Sequence, residues 1–311
     1  MAFMIIGLLS ECSSGYDISL TITGATGVLG RALTRNAVRR MKSGRIHLLH
    51  RNKVQHAELL KIIHLEKLDE LCEHAPVLTS YYCDLQKLSV QSACSAWDSI
   101  EVESTHGALI NCAGVFLSGN SLAVAEQSLR CNTLAPILLT QQLLRKSHPA
   151  QQNKTTVVNI GSGDGEQVFI SPSIIKQLND LHSVDDLVKY VHRLLTNHDE
   201  HFEYAHGDTP WYSLSKCLLH RATALFHNEV CEQHNHIRVI CICPGNFVSP
   251  MTTTEELSDL TSSFVDCDTA ASYVLSAIDN QMFTTVSDHR PSSSMCLESG
   301  KFYRFGKEIS W

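Results

Sequence analysis

The sequence has no C-x-x-C pair among its 12 cysteines, no Pro- or Gly-rich linker among its 8 prolines and 16 glycines, no internal repeat and no excess of positive charge. Each absence narrows the field. Several cysteines, such as Cys241 and Cys243 in RVICICPG, sit inside apolar runs where a thiol serves as a small core residue, so reduced thiols are expected rather than a disulfide scaffold. His227, Cys231 and His234 fall at i, i+4 and i+7 of one helical stretch, but no fourth ligand stands out and no metal is expected. With 25 Lys and Arg against 32 Asp and Glu, the net charge is −7, which leaves no general attraction for nucleic acid or anionic lipid. No run reaches the roughly 18 apolar residues of a membrane span. The opening MAFMIIGLL lacks the basic n-region of a secretory leader. A cytoplasmic protein with neither nucleic-acid nor membrane partner is expected.

What is present is a globular chain, 311 residues with 43% apolar and 18% charged side chains. Short apolar runs recur at 18–23, 45–50, 77–84, 107–114, 155–162 and 237–245, each bounded by Gly, Asn or Pro. Amphipathic stretches lie between them, among them Leu29 to Met41, Leu88 to Ile100, Asn132 to Arg145 and Leu214 to Cys231. This alternation predicts a doubly wound α/β fold, a mostly parallel sheet with helices on both faces. Residues 1–17 form an N-terminal extension and 18–311 a single domain. The rhythm breaks over 163–210, where SVDDLVKYVHRLL has a Ser N-cap, acids in its first turn and apolar residues at helical spacing. It predicts an inserted helix.

The first strand runs into Thr23-Gly24-Ala25-Thr26-Gly27-Val28-Leu29-Gly30 and then directly into a helix. Glycines there permit a tight turn and close approach to a pyrophosphate, and the helix N-terminus offers free N–H groups and a positive dipole end. A dinucleotide site is predicted. At the end of the second strand, where an Asp or Glu would hold the ribose of NAD, this chain has Arg51. A guanidinium matches a 2′-phosphate in charge and geometry, which predicts NADP(H).

Tyr212-Ser213-Leu214-Ser215-Lys216 places a phenol and an ammonium four apart, on one face of a helix. A free phenol has a pKa of about 10, and a nearby cation favours its anionic form, so Lys216 is expected to make Tyr212 more acidic. With these motifs the chain resembles the short-chain dehydrogenase/reductase family over almost its whole length. The matching pieces, in family order, are TGATGVLG, Cys83-Asp84-Leu85, Asn111-Cys112-Ala113-Gly114, Asn132 in CNTLAPILLT, Ser162 in VVNIGSGDG, YSLSK and CPGNFVSPM. Within the family, the insertion before the tyrosine and the closing SGKFYRFGKEISW resemble the monomeric carbonyl reductases.

The resemblance implies a catalytic tetrad of Asn132, Ser162, Tyr212 and Lys216. Tyr212 would protonate a carbonyl oxygen, Ser162 would hydrogen-bond it, and Lys216 would lower the tyrosine pKa and hold the nicotinamide ribose. Asn132 would position a water linking Lys216 to solvent. It also implies cofactor contacts from Gly24, Thr26, Gly27, Val28, Leu29 and Gly30, from Asp84 and Leu85 near the adenine, and from Asn111, Ala113 and Gly114 along the wall. Pro244, Gly245, Phe247 and Ser249 would lie at the nicotinamide end. The implied activity is NADPH-dependent reduction of a ketone, aldehyde or quinone on a small apolar molecule. A pterin or sepiapterin reductase and a non-catalytic NADPH-binding redox sensor are the alternatives.

Three departures from the family pattern stand out. The glycines are spaced G-x-x-G-x-x-G rather than G-x-x-x-G-x-G, Gly161 stands where a second serine is common, and Asn246 replaces a tryptophan of the carbonyl reductases. Trp211, Phe116 and Phe247 each fit either a core position or the wall of a substrate pocket. The insertion ahead of Tyr212 is placed to cover the helices through which family members dimerise, so a monomer is expected.

Overall fold

The computed structural model describes residues 18–41, 43–70, 76–89, 91–93, 95, 100, 106–146, 154–199, 201–231, 234–252, 264–278 and 297–309. The extension at 1–17 lies outside them, as does most of the helix expected over 88–100, of which 91–93 and 95 are helical. Six strands fall where the apolar runs place them: β1 (Ile18–Thr23), β2 (Arg45–His50), β3 (Val77–Tyr82), β4 (His106–Asn111), β5 (Lys154–Ile160) and β6 (Ile237–Cys243). Two short strands follow, β7 (Phe302–Arg304) and β8 (Lys307–Ile309). All join one sheet in the order β3-β2-β1-β4-β5-β6-β7-β8, parallel throughout except for the antiparallel β7–β8 hairpin.

The described helices are α1 (Val28–Arg40), α2 (Lys53–Glu70), α3 (Leu122–Leu129), α4 (Ala135–Lys146), α5 (Pro172–Asn179), α6 (Val184–Thr196), α7 (Pro210–Phe226) and α8 (Cys267–Ser276). The period-2 alternation of the central strands sorts their apolar side chains into two cores. Leu109, Val157 and Val239 face one way, onto Leu129, Leu139, Leu187 and Leu218 of α3, α4, α6 and α7. Ala108, Ile110, Val158 and Ile240 face the other way, onto Leu33, Leu59 and Val274 of α1, α2 and α8. Burial on both faces is why these strands read as continuous apolar runs.

Three differences from the expected elements have physical causes. The helix expected to begin at Asn132 begins at Leu122 behind the N-cap Ser121, and a π-helical turn, Arg130–Leu134, joins α3 to α4. Asn132 therefore sits inside a long helix, at a widened turn of the kind that recurs at functional sites. The expected strand over 77–84 ends at Tyr82, because the Asp84 carboxylate accepts a hydrogen bond from Gln86 N and caps a short 3₁₀ turn, Leu85–Lys87. The insertion holds two helices rather than one. α6 is capped by Ser183 as expected, and its buried Leu187, Tyr190, Val191 and Leu194 lie in the core shared with α7. α5 precedes it, and an antiparallel bridge between Ile170 and Ala205 closes the base of the insertion.

The strand order places β1 beside β4, where the direction of winding reverses. The loops leaving the carboxyl ends of β1, β2, β4, β5 and β6 line one cavity of about 670 Å³. Among the described residues, no helix is long and apolar enough to cross a membrane.

Candidate active site

The glycine loop is shaped by contacts that only glycine permits. Gly24 has φ +63°, and a Cβ there would stand 2.7 Å from the Ala113 Cα of the neighbouring β4 loop. A Cβ on Gly30 would collide with the Gly24 carbonyl, which fixes the close packing of α1 on the loop. Thr23 Oγ1 accepts hydrogen bonds from Cys112 N and Ala113 N, both at 3.0 Å, tying the ends of β1 and β4 together. Gly27 is the N-cap of α1, no side chain caps the helix, and its first turn holds no acid. The free N–H groups and the positive dipole end thus meet the cavity with no competing carboxylate. This cradle, which side chains would fill, fits a dinucleotide pyrophosphate.

Arg51 is exposed at the cavity edge, and Arg31 lines the cavity beside it. Sequence reasoning missed Arg31; its place right after the third loop glycine was the available signal. Its Nε donates to Thr26 O at 2.9 Å, and Glu58 lies 3.5 Å from its guanidinium. The His50 and His56 rings stack with centroids 3.9 Å apart. Burial, with His50 as neighbour, pushes His56 down to about 4, and burial lowers His50 too. Arg51 and Arg31 are the cationic side chains that line this end of the cavity.

Tyr212 and Lys216 share a face of α7, with the Lys216 Nζ 5.7 Å from the Tyr212 ring centroid. Both line the cavity with Ser162. The expectation that Lys216 makes Tyr212 acidic needs correction for the chain taken alone. Burial raises the phenol well above its ordinary value, and the Asp164 and Cys243 charges add to that rise. Only the Ser162 hydroxyl favours the phenolate. Lys216 is buried, which lowers its own pKa, and its Nζ donates to Ile160 O at 2.8 Å. Phe116 stands edge-on to Tyr212 at 4.7 Å and lines the cavity, as does Phe247.

Asn132 and Asn111 do not line the cavity. The Asn132 side chain accepts from Val115 N at 2.8 Å and donates to Val115 O at 2.9 Å and Ser215 Oγ at 3.0 Å. It therefore ties the β4 loop to α7, one residue from Lys216. Asn111, expected as a cofactor wall, instead points its amide into the interior. Its Nδ2 donates to Asn159 Oδ1 at 2.8 Å and to Thr140 Oγ1 at 3.3 Å, and Asn159 passes the network to Thr223 of α7. The polar network between sheet and helices explains both positions. The other expected contacts, Gly24, Thr26, Gly27, Val28, Leu29, Gly30, Arg51, Asp84, Leu85, Ala113, Gly114, Pro244, Gly245, Phe247 and Ser249, all line the cavity.

The loop after β5 is packed with unusual closeness. A Cβ on Gly161 would come within 2.7 Å of Cys241 Sγ and His220 Nε2, so the serine common there in the family has no room. One on Gly165 would meet the α7 backbone at Cys217 N at 2.8 Å, and one on Gly163 would strike Arg304. Arg304 also pairs with Glu166 at 2.6 Å, holding the Ser162 loop to the β7–β8 hairpin. Asp164, in the same loop and on the cavity wall, was not foreseen. Trp211 is fully buried, 4.3 Å from the Tyr204 ring and 5.4 Å from that of His198, so it anchors the insertion rather than lining the cavity. No group of three or more His, Cys, Asp or Glu is placed to hold a metal among the described residues.

No protein-family model and no curated protein matches the sequence. Solved structures do match the fold. Salutaridine reductase from Papaver somniferum aligns over 92% of this chain and 99% of its own, with TM-score 0.67 and 16% identity. NADPH-bound carbonyl reductase from chicken fatty liver aligns over 96% of both chains, with TM-score 0.60 and 19% identity. A metagenomic short-chain oxidoreductase in complex with NADP covers 83% of this chain and 88% of its own, with TM-score 0.53 and 18% identity. The chain thus has the doubly wound fold of the short-chain dehydrogenase/reductase structures.

Proposed function

We propose that the protein is an NADPH-dependent short-chain dehydrogenase/reductase that reduces a ketone, aldehyde or quinone carbonyl on a small apolar molecule. One observation carries this reading: Ser162, Tyr212 and Lys216 line the same cavity as the glycine loop, although they are far apart in sequence. The likeness to NADPH- and NADP-bound oxidoreductases supports it.

In this reading the first turn of α1 and the loop backbone hold the pyrophosphate, and Arg51 and Arg31 hold the 2′-phosphate. Asp84 and Leu85 flank the adenine. Bound there, the reduced cofactor supplies a hydride equivalent to the carbonyl carbon. The chain's own task is the proton and the charge on oxygen. Burial keeps Tyr212 in the phenol form at neutral pH, which is the form a reductase needs as proton donor. Ser162 stabilises the oxygen as it gains charge. Lys216, with its Nζ 5.7 Å from the Tyr212 ring centroid, would hold the nicotinamide ribose. Phe116, Phe247 and Met251 give the cavity an apolar side suited to a small apolar substrate.

We infer a monomer as well, because the insertion helix α6 shares its core with Leu218, Ala222 and Leu225 of α7 and so covers that helix. The test is NADPH consumption at 340 nm against a panel of quinones, aldehydes and diketones. Turnover with at least one class is expected, and a chain that binds NADPH tightly but reduces none of them refutes the proposal.

A further inference from the structure

Ser162 has one hydroxyl proton and can donate only one hydrogen bond at a time. Its Oγ donates to Asp164 Oδ2 at 3.3 Å and accepts from Asp164 N at 3.3 Å. The proton that a reductase would present to a substrate oxygen is thus turned toward a carboxylate two residues along, on the wall of the same cavity. We propose that Asp164 is a positioning residue for the reaction, holding the Ser162 hydroxyl proton until a substrate oxygen takes it over and so setting how readily Ser162 and Tyr212 act together. This rests on the reading of the cavity as a reductase site.

The geometry around the pair is fixed from several sides. The Ser162 loop cannot move toward α7, because Gly165 already touches the Cys217 backbone there. On its other side Gly163 packs against Arg304, which is paired with Glu166. The groups facing Tyr212 are Ser162 and Asp164 from the β5 loop, Lys216 from its own helix, Cys243 at the end of β6 and Phe116 from the β4 loop. Among them Asp164 opposes loss of the Tyr212 proton and Ser162 favours it. Asp164 acts on the phenol through its charge, and it also accepts the Ser162 proton that could otherwise point to the Tyr212 oxygen. An uncharged residue at 164 removes the opposing charge and the charge-assisted hold on the Ser162 proton, and alanine removes the acceptor altogether.

The test compares wild type with Asp164→Asn and Asp164→Ala in two measurements. In the first, the pH profile of kcat for carbonyl reduction should have its alkaline limb shifted to lower pH by about one unit in both variants, with the NADPH KM unchanged. In a Ser162→Ala background, Asp164→Asn should change kcat at neutral pH by less than twofold, as expected where the effect on turnover runs through Ser162, while loss of the charge still shifts the alkaline limb. In the second, phenolate absorbance at 295 nm, taken as a difference from the matching Tyr212→Phe variants, should rise at lower pH in Asp164→Asn than in wild type. Coincident titrations, or additive effects of the two substitutions, overturn the assignment of Asp164. The absorbance titration needs no turnover, so it judges Asp164 even where every carbonyl tested is inert. Inertness counts against the reductase reading alone.

Discussion

The ammonium of Lys216 donates a 2.8 Å hydrogen bond to the carbonyl oxygen of Ile160, the last residue of β5 and two residues before Ser162. Helix α7 and the serine loop are therefore joined through a buried hydrogen bond, which holds Tyr212 and Ser162 in one register. Lys216→Met should lower kcat by about a hundredfold or more, the scale of a lost proton-transfer partner. It should also destabilise the fold by about 1–3 kcal/mol, because the Ile160 carbonyl loses its donor. Steady-state kinetics and urea melts check the two effects; an unchanged kcat removes Lys216 from the chemistry.

Tyr212→Phe keeps the ring against Phe116 and deletes only the hydroxyl. Turnover should fall by about 10²–10⁴-fold while NADPH affinity, measured by fluorescence, stays within about twofold. A variant with near-normal rates would show that another group supplies the proton.

Arg51→Asp puts a carboxylate where a 2′-phosphate is expected. The ratio of kcat/KM for NADPH over NADH should drop at least tenfold, through the NADPH KM. Arg31→Ala should act in the same direction. The arginine reading fails should both variants keep the wild-type preference.

Acid should weaken the fold in a defined window. His56 is held near 4 and His220 near 3, both by burial, whereas unfolded histidine titrates near 6.5. The unfolded chain therefore binds more protons between those values. Stability is full above about 6.5 and declines as pH falls toward 4. Thermal melts from pH 7.5 to 4.5 should show a falling Tm, and the slope should flatten in His56→Gln. Equal slopes would discount the stacked histidine pair.

Much of this was legible in the sequence because the same residues serve two ends. The glycine loop announces itself through positions where the backbone tolerates no Cβ, as at Gly24 and Gly30. The central strands announce themselves through apolar runs that two cores require. The short strands β7 and β8 gave no such signal, since three residues carry no period and their pairing partner β6 is distant in sequence. The direction of the Asn111 amide was not legible, because a motif fixes where a residue sits, not where its amide points; the pull of Asn159 and Thr140 decides that. The direction of the Tyr212 pKa was missed for a related reason. A Lys four residues away is visible in one dimension, whereas burial and the Asp164 charge exist only in three.

The hairpin formed by the last strands reaches back to both sides of the cavity. Arg304 grips Glu166 of the serine loop, and the Phe305 ring lies where any Cβ on Gly245 would stand, 2.5 Å away. The serine loop and the Gly245 turn thus take their final shape only against strands made well after them, whereas the glycine loop is shaped by its own helix and by β4.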